Sequence, residues 1–98
     1  MIKELKKGQS LISELQKGKT LVDFYAKWCG PCQIFEKTLE QIDFINIIKV
    51  DVDLFPLIAK EYGIMSIPTI CYFNNGILKL RKIGIQSLEE IEKDVLTI

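Results

Sequence analysis

The stretch Thr20-Leu21-Val22-Asp23-Phe24-Tyr25-Ala26 restricts the possible folds more than any other, because it is apolar at nearly every position and not at alternate ones. A strand with one wet face alternates, whereas a run of this kind fits a strand covered on both faces, in a parallel or mixed sheet flanked by helices. The run ends at Trp28-Cys29-Gly30-Pro31-Cys32. Pro31 suits the first turn of a helix, where its missing N–H costs no hydrogen bond. Two cysteines therefore stand where a buried strand hands over to a helix N-terminus.

The remaining segments supply partners for that strand. Ile2 to Leu5 reads as a short first strand, and Leu11, Ile12 and Leu15 show helical spacing before Gly18. Beyond Pro31, the residues Ile34, Phe35, Leu39 and Ile42 fit a short amphipathic helix, and Phe44 through Val52 reads as another buried strand. Pro56 suits the first position of a helix running through Tyr62, with Asp53 as its cap and Gly63 as its end. Thr69 to Phe73 is a strand, Asn75-Gly76 signals a type I′ hairpin, and Ile77 to Ile83 returns antiparallel. Ser87-Leu88-Glu89-Glu90 is a capping box for a last helix that turns Leu88, Ile91, Val95 and Leu96 toward the sheet. Without repeats or low-complexity tracts, the expectation is one α/β domain over residues 1–98.

A chain of 98 residues with 48% hydrophobic content can bury roughly two thirds of its unfolded surface and fold without staples, so its three cysteines need not be structural. Thirteen basic and thirteen acidic side chains cancel. No field of one sign draws the chain to a phosphate backbone or an anionic membrane, and no apolar run approaches the roughly twenty residues of a membrane span. The opening MIKELKKGQS is broken by charge and Gly8 and lacks a secretory signal pattern, which favours a reducing, cytoplasmic setting.

At a helix N-terminus, backbone amides and the macrodipole favour negative charge, so Cys29 is the expected thiolate nucleophile. One turn on, Cys32 can reach the Cys29 sulfur and resolve a mixed disulfide. Zinc and iron–sulfur ligation compete poorly, since a C-x-x-C pair, a distant Cys71 and no histidine fall short of the usual four ligands. No metal is expected. A purely structural bridge would close a loop so short that it stabilises by only about 2 kcal/mol.

The run from Val22 to Cys32 resembles the signature strand and active-site loop of the thioredoxin family. The likeness continues through Lys49-Val50-Asp51-Val52-Asp53, Ile67-Pro68-Thr69, Phe73-Asn74-Asn75-Gly76 and Ile83-Gly84. The resemblance implies a thioredoxin fold: a five-stranded mixed sheet in the order 1-3-2-4-5 flanked by four helices. It implies an enzyme that reduces disulfide-containing protein substrates without a cofactor and is recharged by a thioredoxin reductase; a monomer is the default expectation. It also implies that Pro68 is cis and faces the cysteines.

A carboxylate inside an apolar strand is costly if ionised and unpaired, so Asp23 points to a sheet edge, is satisfied by backbone amides, or is held protonated with a raised pKa. The resemblance makes it the group that takes the proton from Cys32. Lys49 either snorkels to solvent or is the family lysine beside this aspartate. Pro68 alone could merely start a strand; the resemblance instead presents the Ile67 backbone to an extended substrate. Trp28, Gly30, Pro31, Ile67, Pro68, Ile83 and Gly84 would then surround an accessible Cys29 as an apolar docking face. Trp28 could otherwise be core. Cys71 reads as a core residue, and Asp51 and Asp53 as a strand end and a helix cap. Departures from the family pattern are Lys37, where a helix-kinking proline is usual, a short interval from Cys32 to Lys49, and Tyr25 in place of a second tryptophan. Oxidase or isomerase chemistry and a non-catalytic binding subunit are the alternatives; Gly30-Pro31 argues against the first and the intact cysteine pair against the second.

Overall fold

The computed structural model describes residues 1–98. Five strands, β1 (Ile2–Glu4), β2 (Lys19–Tyr25), β3 (Asn46–Asp51), β4 (Thr69–Asn74) and β5 (Ile77–Ile83), form one sheet in the order β1-β3-β2-β4-β5. The helices are α1 (Leu11–Glu14), α2 (Gly30–Leu39), α3 (Pro56–Glu61) and α4 (Leu88–Thr97). β3 runs parallel to both β1 and β2, while β4 lies antiparallel to β2 and β5. The mixed sheet and four helices match the expected architecture.

β2 is central, and its side chains divide by strand alternation between two cores. Leu21 packs with Ile47, Ile70 and Tyr72 against Phe35 and Leu39 of α2 and Ile91 and Val95 of α4. Val22 and Phe24 pack with Ile48, Val50, Cys71 and Phe73 against Leu11 and Leu15, with Ile58 and Tyr62 beside them. Asp23 and Tyr25 share the α2 face with Leu21. Cys71 is core, as expected.

Local signals account for most of the element ends. Asn75 and Gly76 both have positive φ, 49° and 84°, as a type I′ turn requires. Ser87 and Glu90 bond reciprocally as a capping box. Several expectations on surface residues fail. Ile12, Ile34 and Leu96 are exposed, because short helices bury only a narrow stripe that Leu11, Phe35, Leu39, Ile91 and Val95 already fill. Phe44 lies exposed ahead of β3. Asp53 does not cap α3, whose N-cap is Phe55 without a side-chain bond. Asp51 closes that turn instead, accepting from the Asp53 and Leu54 amides.

The two edges of the sheet differ. β1 has only three residues, and β5 carries Lys79, Arg81 and Lys82.

Candidate active site

Cys29 follows β2 after a tight loop and is the N-cap residue of α2, with extended backbone. Its sulfur accepts a hydrogen bond from the Cys32 N–H at 3.2 Å, the bond that a capping oxygen makes elsewhere. Pro31 lies in the first turn, where no donor is lost. Cys29 and Cys32 are joined as a disulfide, with Cα atoms 5.2 Å apart. α2 continues without interruption through Lys37 in its last turn.

The expected contrast in exposure between the two cysteines is absent: Cys29 is 4% exposed and Cys32 5%. Tyr25, Ala26 and the disulfide pack on one another, with Ile67 and Val52 against them. What distinguishes Cys29 is its place at the cap and the Ile67 carbonyl 3.9 Å from its sulfur.

The Ile67–Pro68 peptide is cis, as the resemblance implied. Pro68 is buried. Its carbonyl accepts from the Gly84 N–H at 2.8 Å, which ties the loop before β4 to the end of β5. Gly30, Pro31 and Ile83 are exposed, and Ile67 and Gly84 half-buried. Trp28 is 71% exposed and therefore not core. Its indole N–H donates to Asp53 Oδ2 at 2.7 Å, so Asp53 orients the tryptophan and not a helix.

Asp23 is 1% exposed, and its Oδ1 has no hydrogen-bond partner. The edge-of-sheet reading is excluded, since β2 lies at the centre. Burial pushes its carboxyl up to about 7; Lys49 opposes that rise, and the charges of Glu36 and Glu4 add to it. Lys49 is opposite Asp23 in the β2–β3 register and is buried, not snorkelling. Its ammonium lies 4.0 Å from the centre of the Tyr25 ring and forms an ion pair with Glu36. The Tyr25 hydroxyl donates to Glu4 Oε2 at 2.6 Å, so the residue replacing a second tryptophan ties β2 to β1.

Glu36 and Glu4 were not singled out from the sequence, and Asp53 was singled out only as a helix cap. A signal existed for Glu36, which follows Cys32 at helical i,i+4 spacing and so had to share its face. Cys32, Glu36, Lys49 and Tyr25 line an open cleft of about 270 Å³. No three His, Cys, Asp or Glu side chains gather in a metal-holding arrangement.

The thioredoxin family model matches residues 3–97. The chain belongs to the thioredoxin family. The thioredoxin of Bacillus subtilis is 36% identical over 90 residues, covering 87% of this chain and 86% of its own. That of Rickettsia prowazekii is 41% identical over 85 residues, covering 82% and 78%. Among solved structures, a mutant thioredoxin from Halobacterium salinarum superposes with a TM-score of 0.88 at 28% identity, covering 98% of this chain and 88% of that one. The oxidised mitochondrial thioredoxin 3 of Saccharomyces cerevisiae gives 0.84 at 29% identity, covering 99% and 95%. Like other thioredoxins, the chain is a protein-disulfide oxidoreductase, and its redox pair is Cys29 and Cys32. Thioredoxins need no cofactor for this exchange. No helix here is long and apolar enough to cross a membrane.

Proposed function

We propose that residues 1–98 act as one thioredoxin domain, a monomer that reduces protein disulfides in the cytoplasm and receives its electrons from a thioredoxin reductase. The observation that carries the mechanism is the Cys32 N–H bonded to the Cys29 sulfur at the head of α2. In the reduced state that donor and the helix field favour Cys29 as thiolate. The thiolate attacks one sulfur of a substrate disulfide; the other sulfur leaves as a thiolate, and a mixed disulfide remains on Cys29. Cys32 then gives its proton to the Asp23 carboxylate and attacks the Cys29 sulfur. The remaining substrate sulfur departs, the Cys29–Cys32 disulfide forms, and the substrate has gained two electrons. A carboxyl with an affinity near pH 7 is matched to that proton transfer, and the nearby Lys49 limits how far burial raises it.

Trp28, Gly30, Pro31, Ile67, Ile83 and Gly84 make the docking face, with Pro68 behind it. The Ile67 carbonyl pairs with the backbone of an extended substrate in this reading, which its closeness to the Cys29 sulfur supports. The balanced surface charge supports protein partners over nucleic acid or membrane.

Turnover of a protein disulfide with dithiothreitol as electron donor tests this reading, together with the reduction potential of the pair against glutathione. Multiple turnovers and a strongly reducing potential are expected. A strongly oxidising potential would make the chain an oxidase or isomerase, and binding without turnover would make it an adaptor.

A further inference from the structure

The α2-covered face of the sheet holds a connected set of charges. Glu4, Lys49 and Asp23 form one row across β1, β3 and β2, so that in the register the lysine stands between two acidic residues. It bonds neither of them. Lys49 Nζ reaches to Glu36 on α2, across the ring of Tyr25, while Glu4 takes the Tyr25 hydroxyl. The ion pair is lopsided: the Lys49 side chain is 9% exposed and that of Glu36 35%. Glu36 thus engages the buried cation at the cleft that it shares with Cys32, while an oxygen of Asp23 is left without a partner.

We propose that Glu36 is a positioning residue for disulfide exchange: by holding the Lys49 ammonium on the cleft side, it withholds that charge from Asp23 and keeps Asp23 able to accept the Cys32 proton near neutral pH. This rests on the role assigned to Asp23 above. The groups that face Asp23 are Lys49 from β3, Glu36 from α2 and Glu4 from β1, with Tyr25 bonded to Glu4 and Lys27 exposed at the cleft rim. Removing the charge of Glu36 acts twice in one direction. It deletes a negative neighbour, and it frees the ammonium to turn to Asp23. The Asp23 carboxylate should then persist to lower pH while becoming a weaker base.

The resolving step can be followed by stopped flow with dithiobis-nitrobenzoate, an aromatic disulfide. Attack by Cys29 releases one coloured thiolate, and resolution by Cys32 releases the second. In Glu36→Gln the acid limb of the second phase should move down by about one pH unit, and the ratio of the rate at pH 6 to that at pH 8 should rise about fivefold. Glu36→Ala should shift it alike. Glu40→Gln, an exposed charge at the C-cap of the same helix, should leave the limb in place. A limb unmoved in both Glu36 variants, or a rate lowered equally at every pH, overturns the proposal. So does an equal shift in Glu40→Gln, which would make the effect one of overall charge. Asp23→Asn in the same assay separates the two readings. If it removes the acid limb while the Glu36 variants leave it in place, only the Glu36 inference falls; if it keeps the limb, the Asp23 reading fails and takes the inference with it.

Discussion

Two cysteines equally shielded in the disulfide must owe any difference in reactivity to their positions on α2. Cys29 sits at the cap, where its sulfur already receives an amide N–H, and Cys32 lies one turn inside. Alkylation of the reduced protein at neutral pH should therefore label Cys29 well before Cys32 or Cys71. Cys71 is buried in the core, which holds its thiol above the usual range, with Arg81 opposing. Faster labelling of Cys71 would overturn the assignment. The same asymmetry divides the labour between the cysteines. Cys32→Ser should attack a protein disulfide and stall as a mixed disulfide that survives denaturing, non-reducing electrophoresis, because a serine hydroxyl cannot displace the substrate sulfur. Cys29→Ser should give no such trap, and Cys71→Ala should change neither result. Equal trapping by both serine variants would mean that either thiol can begin the exchange.

Among the elements, α4 offers the cleanest local test. Ser87→Ala removes one half of the capping box and should cost about 1 kcal/mol in denaturant unfolding, with activity retained. A loss well beyond that would show Ser87 to have a tertiary role. Asp53 tests a tertiary one: Asp53→Ala should change the emission of Trp28 without lowering helix content, since the carboxylate holds the indole and caps nothing. Lost helix with an unchanged tryptophan signal would restore the capping reading. The contrast between these two residues shows what was legible beforehand. Ser87-Leu88-Glu89-Glu90, Asn75-Gly76 and the unbroken apolar run of β2 act over a few neighbouring positions, so their chemistry can be read along the chain. The bonds from Asp53 to Trp28 and from Lys49 to Glu36 close over 25 and 13 positions, and no local pattern announces them. Cys29, Cys32 and the cis Pro68 were visible through their motifs, and Glu36 through its spacing from Cys32, whereas Glu4 enters the site only because the strand order puts β1 beside β3 and Lys49. Ile12, Ile34 and Leu96 misled for a related reason: an apolar residue on a short helix faces the core only if the sheet beneath has room for it.

For the molecule as a whole, Asp23 makes stability depend on pH in a sense opposite to most carboxylates. Its affinity in the folded state lies at about 7, above its ordinary 3.8, so the folded state binds the extra proton between those values. Stability from this group is therefore present below about pH 4, declines as pH rises toward 7, and is flat beyond. Asp23→Asn should be close to neutral at pH 4 and more stable than the parent by roughly 2–4 kcal/mol at pH 8, while turning over substrate disulfides more slowly. Denaturant midpoints measured across that range check the sign. An advantage independent of pH, or a loss, would show that Asp23 is ionised or structurally bonded in the fold. The sheet borders bear on the reaction in another way. An extended peptide gains little by lying along a three-residue strand or beside the positive charges of β5. On the proposed docking at Ile67, the backbone there meets weak competition from the rest of the sheet, and a substrate chain would be held chiefly where its sulfur can react. On the same proposal, the poverty of alternative footholds would let the product go once the bond is cut, and short residence of unfolded, cysteine-rich chains is the expected consequence of how the sheet is trimmed.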